Sequence, residues 1–242
     1  MSENIKKITK AFKVYLDSRE NQNILKPSAH PFNNQAHQVN EVPAKIAEKI
    51  YNLIEGAKHP NDDIILNHSE IKEAFFSPFE PQLKDAKVFL SHSHADKNKA
   101  LKVKDYLESE TKRKVFIDSL FWDYKDNVLN KLAEYAEYDD NDISVIEDAF
   151  TLILRESLEC MIKKCPYFVF LQSKNSVSLN QDLLGITYSA WIYEELRIAH
   201  SISSESRLTI MMESFQVSHD ISPFLEHLET ITIRKLSHII NS

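Results

Sequence analysis

A chain of 242 residues, 43% of them hydrophobic, is long enough to bury one good core or two modest ones, because domains usually run to ~100–200 residues. Its formal net charge of −7 argues against a nucleic-acid groove, since binding a polyanion requires clustered Lys and Arg that displace counterions. No apolar run approaches the roughly 18 residues a membrane helix needs; Tyr167–Leu171 and Leu208–Met212 are strand-sized.

The polar start, Met1-Ser-Glu-Asn-Ile-Lys-Lys, has no apolar core of the kind a secretory signal requires. With Cys160 and Cys165 as the only cysteines, no disulfide framework can be drawn, so a reduced, cytoplasmic setting is expected. Gly56 and Gly185 are the only glycines. Glycine-rich phosphate cradles are therefore ruled out, and any nucleotide must be held by side chains and helix ends.

In chain order, Ile5, Ile8, Phe12 and Tyr15 recur at helical spacing and predict a first helix. Lys26 to Glu41 is polar, contains Pro27 and Pro31, and reads as a loop. Pro43 followed by Ile46, Ile50 and Leu53 predicts a helix with proline in its first turn, and Ser69 to Phe76 a shorter one. Residues 1–84 are thus expected to form a helical N-terminal extension, closed by Pro78 and Pro81, ahead of a second domain over 85–242.

From there strands alternate with helices. Lys87–Ser91 is a strand, Ala100, Val103 and Leu107 mark a helix face, and Lys114–Asp118 is a second strand. A helical piece over Asn127–Tyr135 and the acidic loop Asp139–Asp142, which lacks the glycine of a calcium loop, precede the helix marked by Phe150, Leu154, Leu158 and Met161. The strand Tyr167–Leu171, a helix from Ala190 to about Ser201, and strands at Leu208–Glu213 and Thr230–Ile233 complete the series. Such alternation predicts a parallel sheet covered by helices, with its ligand crevice beyond the carboxyl ends of the strands.

Three segments then come into question. His92-x-His94-x-Asp96 has ligand types suited to zinc, which keeps a zinc-dependent hydrolase as an alternative; the plainer reading has Asp96 capping the next helix and both histidines at a loop surface. The second segment puts Asp118 at a strand end ahead of Phe121 and Trp122, aromatics that could stack on a ring, meet a partner or pack beneath their own loop. In the third, Trp191 and Glu195 stand one turn apart beside the apolar stripe Ile192, Leu196 and Ala199, so Glu195 borders the buried face while Glu194 should point to solvent. From spacing alone, a solvated Glu beside a core Trp is the simpler reading.

Taken together, Val88-Phe-Leu-Ser91-His92-Ser93, Val115-Phe-Ile-Asp118, Gln172-Ser-Lys-Asn-Ser176 and Trp191-Ile-Tyr-Glu-Glu195-Leu196 occur in an order that resembles the TIR (Toll/interleukin-1 receptor) domain family, over about 150 residues. The likeness is greatest to bacterial TIR proteins of anti-phage defence. It implies a flavodoxin-like α/β fold and an NADase, cleaving NAD+ to nicotinamide and ADP-ribose, a cyclic isomer or a conjugate sensed by a separate effector protein. It implies Glu195 as the catalytic residue, with Ser91, His92, Ser93, His94, Asp118, Trp122 and Trp191 lining the substrate site. NAD+ would be the substrate, with no metal and no further cofactor, and self-association would run through this domain or the N-terminal helices. A non-catalytic adaptor acting by homotypic contacts is the alternative from a different class.

Overall fold

The computed structural model describes residues 10–26, 42–56, 67–76, 85–117, 128, 130, 140–178, 185–203 and 218–242. The chain divides into two compact units, residues 1–27, 85–118 and 158–242 in one and 28–84 and 119–157 in the other.

The first unit is built on a five-stranded parallel sheet. Its strands are β1 (Lys10–Tyr15), β2 (Ala86–His92), β3 (Lys114–Ile117), β4 (Tyr167–Gln172) and a short outer strand at Glu229–Thr230, in the order β3-β2-β4-β1-outer. A separate antiparallel pair joins Ile186–Thr187 to His219–Asp220. In chain order these three short strands are β5 (Ile186–Thr187), β6 (His219–Asp220) and β7 (Glu229–Thr230). The fold is therefore α/β with a parallel central sheet, as the alternating pattern predicts. In β2 and β4 consecutive residues are buried, Val88 to His92 and Phe168 to Leu171, which requires cover on both faces of the sheet.

The helices of this unit are α1 (Arg19–Leu25), α4 (Lys97–Thr111), the end of α5 (Asp140–Lys164), α6 (Ala190–Ser203), α7 (Ser222–Glu226) and α8 (Ile233–Asn241). The remaining two, α2 (Val42–Gly56) and α3 (His68–Phe76), belong to the other unit. Helices α1, α4 and α8 pack on one another, with α4 also against β2 and β3, while α6 packs on β2, β5, β6 and α7. The chain moves one way across the sheet from β2 to β3 and the opposite way from β3 to β4 and from β4 to β7. Right-handed crossovers then put α4 and α6 on opposite faces.

The N-terminal segment departs from expectation. A helix is predicted through Phe12 and Tyr15, but Lys10–Tyr15 is a strand inside the sheet, Phe12 beside Val169 and Val14 beside Leu171. The physical reason is burial: Phe12, Val14 and Leu16 alternate onto one face and are at most 1% exposed, and each apolar side chain so buried contributes roughly 1.5–3 kcal/mol. Residues 10–26 thus join the sheet rather than a helical extension. Asn21 secures this placement from a buried position. Its Nδ2 donates to Tyr15 O (2.8 Å) and its Oδ1 accepts from Ile233 N (2.9 Å), linking β1 to the start of α8.

Two further segments differ. The strand expected over Thr230–Ile233 ends at Thr230, because Thr232 caps α8 by accepting from Lys235 N and Ile233 is already helical. Asp140 to Asp142, expected in a loop, form the first turn of α5. Helix α6 begins at Ala190 as predicted and ends two residues beyond the expected Ser201, and in α4 the predicted face of Ala100, Val103 and Leu107 is wholly buried. The expected loop after Lys26, the helical piece over Asn127–Tyr135 and the strand Leu208–Glu213 lie wholly or largely outside the described residues.

In the second unit α2 packs on α3 and buries Ile46 and Ile50, the positions its helical spacing singles out. Glu156, in the part of α5 that belongs here, accepts from Lys72 Nζ (3.0 Å) and pairs with His68 Nε2 (3.4 Å). The Lys72 hydrogen bond, and then that of His68, holds the Glu156 carboxyl below its usual range. Among the described residues, no helix is long and apolar enough to cross a membrane.

Candidate functional site

The reversal of strand connections falls between β2 and β4, the position where open α/β sheets bind ligands beyond the carboxyl ends of their strands. In register, Ser91 lies beside Phe170 and His92 beside Leu171, and Tyr15 of β1 lies beside Gln172. Alternation assigns Phe89, Ser91, Phe170, Gln172 and Lys13 to one face, and the stacking of Phe89 on Phe168 (centroids 5.8 Å apart) follows from that arrangement. Lys13 Nζ donates to Leu225 O of α7 (3.0 Å), and α7 packs on α6. Ser91 and Gln172 therefore face the α6 side of the sheet, and His92 faces the α4 side.

Glu195 is carried on α6. Its neighbours Ile192, Leu196 and Ala199 are 2% exposed or less, and Glu195 itself is 1% exposed, so the carboxylate lies on the face of α6 turned into the core. The expected helix face is confirmed and the solvated alternative is not. Trp191, one turn earlier, is half-buried. Glu194, expected in solvent, is mostly covered and forms a two-point pair with Arg197, Nε to Oε2 at 2.7 Å and a terminal nitrogen to Oε1 at 2.5 Å. That pairing, the Glu194 hydrogen bond foremost, raises the Arg197 pKa above its ordinary value. The correction has a simple origin: an i, i+3 partner of opposite charge holds the side chain along the helix instead of releasing it to water.

Of the loop residues, Ser93 is half-buried and precedes a 3₁₀ turn over His94–Asp96, and His94 is exposed. His92 is 4% exposed and belongs to β2, so of the two histidines only His94 takes the expected loop-surface position. Asp96 stands at the N-cap of α4 but makes no side-chain capping bond. Its carboxylate accepts from the Ser173 hydroxyl and from Asn175 Nδ2 (3.0 Å), in the loop after β4, with Lys99 Nζ at 3.4 Å. Lys99 reaches Asp17 Oδ1 as well (3.0 Å), and that hydrogen bond is the first cause of its raised pKa. Within the loop, Ser173 N and Ser176 Oγ are bonded at 2.8 Å, and Asn175 N donates to Ser173 Oγ at 2.9 Å.

This explains why the zinc alternative fails to assemble on His92, His94 and Asp96. One side chain is inside a strand, one is at the surface, and the third is bound by the loop after β4. Among the described residues no group of three or more His, Cys, Asp or Glu side chains is placed to hold a metal ion. Asp118 and Trp122 lie outside the described residues.

Sequence reasoning named Gln172-Ser-Lys-Asn-Ser176 as a motif but gave Gln172 no role, and it did not find the Asp96–Ser173–Asn175 connection. Ser91 Oγ and Gln172 Oε1 are buried and, among the described residues, have no hydrogen-bond partner. A Ser- and Asn-rich turn directly after a core strand was the available signal, but its partner lies 77 residues away in the chain. Comparison with family models, with curated proteins and with solved structures gives no match.

Proposed function

We propose that this protein cleaves NAD+ at the nicotinamide–ribose bond, with Glu195 as the catalytic residue. The observation that carries the reading is the burial of the Glu195 carboxylate on the core-facing side of α6, a helix packed on the strand that ends at the switch point. The motifs around Ser91, Gln172 and Glu195, which resemble those of TIR domains, support the same reading.

The chemistry suits a single carboxylate. The glycosidic C–N bond breaks with both electrons passing to the ring nitrogen, so nicotinamide leaves neutral and the ribosyl carbon becomes oxocarbenium-like. A carboxylate removed from water opposes that positive charge far more effectively than an exposed one. Water then adds to the ribosyl carbon and loses a proton, giving ADP-ribose. Nicotinamide is a good leaving group and needs little acid assistance, so a second carboxyl is dispensable.

The test is nicotinamide release from NAD+ by the full chain at high concentration, followed by chromatography. Glu195→Ala and Glu195→Gln are expected to lower turnover by about 100-fold or more, the usual cost of removing a group that stabilises transition-state charge. Glu194→Ala should retain most activity, since its carboxylate is committed to Arg197. Absence of release by the wild-type chain would end the enzymatic reading and leave the adaptor; loss in Glu194→Ala alone would reverse the assignment of the helix faces.

A further inference from the structure

The floor beneath α6 contains two polar atoms whose burial the fold itself does not explain. Ser91 is 0% exposed, in the middle strand of the β3-β2-β4 group, and its Oγ has no hydrogen-bond partner among the described residues. Gln172, the last residue of β4, has its Oε1 buried in the same unpartnered state. A buried polar atom left unsatisfied is a net cost to the fold, so a pair on adjacent strands calls for a reason. By register, both side chains project from the same sheet face near the carboxyl ends of β2 and β4, Gln172 standing two residues beyond Phe170, the neighbour of Ser91. That is the face on which α6 packs, with Glu195 on the core side of the helix.

The polar groups of the turns that follow these strands are bonded to one another. Asp96, Ser173, Asn175 and Ser176, within a few residues of Ser91 and Gln172 along the chain, all have hydrogen-bond partners among themselves. An amide oxygen can only accept, and a serine hydroxyl can accept or donate, so together they suit a neutral ligand group that presents hydroxyl or amide N–H donors.

We infer that Gln172, with Ser91, reads the substrate: their free oxygens receive hydrogen bonds from the ribose hydroxyls or the carboxamide of the nicotinamide riboside half. The inference rests on the NAD+ reading of this site. Glu195 opposes the charge that develops, and Gln172 and Ser91 set where the ribosyl group lies. Gln172 is a positioning and specificity residue in this scheme.

Two measurements test it together. First, thermal unfolding of Ser91→Ala and Gln172→Leu: removal of an unsatisfied buried polar atom should leave the midpoint unchanged or raise it by about 2 °C. A fall of several degrees in either variant would show that the atom serves the fold and would overturn the inference. Second, calorimetric titration of Glu195→Gln, with and without Gln172→Leu or Ser91→Ala, using NAD+, nicotinamide and ADP-ribose as separate probes. Loss of one hydrogen bond should weaken NAD+ binding by about tenfold. Weakening of ADP-ribose would assign the contact to the ribose, and weakening of nicotinamide to the carboxamide. NAD+ binding unaffected by both substitutions would overturn the inference while leaving the cleavage reading intact. Binding that depends on Gln172 in a chain whose wild type releases no nicotinamide would sustain the inference as a binding site and overturn the cleavage reading. No NAD+ binding at millimolar concentration would overturn both.

Discussion

Two polar clusters lie within a few residues of each other at the carboxyl ends of β2 and β4, and they are built in opposite ways. Around Asp96 the bonding is complete, with Ser173, Asn175 and Lys99 on a carboxylate that is 1% exposed. On the α6 side, Ser91 Oγ and Gln172 Oε1 are equally removed from water yet unbonded among the described residues. A buried polar group stabilises a fold only when satisfied. The first cluster therefore fastens the turn after β2 to the turn after β4, and the second keeps bonding capacity in reserve. On the proposed reading one is scaffold and the other is site, although the chain changes from one to the other between Gln172 and Ser173.

The largest expected effect breaks the functional side: the loss of turnover on Glu195 substitution, with Glu194→Ala as its control. The scaffold side is next. Asp96→Ala should lower the stability of the first unit by about 2 kcal/mol in denaturant unfolding, because the buried Ser173 hydroxyl is left without its acceptor while the exposed Asn175 amide can turn to water. Little of this comes from Lys99, whose side chain is 39% exposed. Asp96→Asn, which retains one acceptor oxygen, should lose less. Full stability combined with lost activity in Asp96→Ala would invert the comparison and make this cluster part of the site.

Gly185 sharpens the comparison from the other end of the site. It has φ +79 and lies just ahead of β5 and α6, and its carbonyl accepts from Ile221 N at 2.7 Å. A Cβ there would meet Ser222 Oγ at 1.9 Å and Ser222 Cα at 3.3 Å. Gly185→Ala is expected to destabilise by roughly 1–3 kcal/mol through clash and backbone strain. Adding Ser222→Gly should recover the part due to the side-chain clash and leave the part due to φ, measured by the same unfolding curves. Full recovery would show that strain contributes nothing.

The smallest effect is a dependence on pH at the end of α6. His200 packs on Phe224 (5.4 Å between centroids) and on His227 (4.6 Å), and burial first, then the neighbouring His227 charge, lowers its pKa from the usual 6.5. A group whose folded-state pKa is depressed supports the fold above its unfolded pKa and withdraws that support as pH falls. The thermal midpoint should therefore drop modestly below about pH 6.5, and His200→Gln should flatten that part of the profile. An unchanged profile in this variant would assign the acid loss to other groups.

How much of this could be read beforehand depended on the range of the interactions. The face of α4 through Ala100, Val103 and Leu107 follows from spacing within one helix, whereas spacing sets Glu195 only at the border of the stripe Ile192, Leu196 and Ala199 and by itself favours a solvated carboxylate; its burial follows from what α6 packs on. The position of Lys10–Tyr15 does not follow. Phe12 and Tyr15 are three residues apart, which fits a helix as well as a strand, and the decision lies with Val169 and Leu171 in a strand formed far along the chain. The roles of Asp96 and Glu194 divide on the same principle. Asp96 by itself reads as a helix cap and acts instead on Ser173 and Asn175, while Glu194 by itself reads as solvated and is drawn to Arg197.

Composition and periodicity by themselves determined an α/β chain and a glutamate at the border of a helix's apolar stripe, since these depend on local geometry and on the preference of apolar side chains to leave water. Only the tertiary structure decided which strand fills the place beside β4, and which buried polar atoms find partners. Those outcomes depend on the meeting of residues distant in sequence, and hydrogen-bond satisfaction is a property of such pairs that no single position carries.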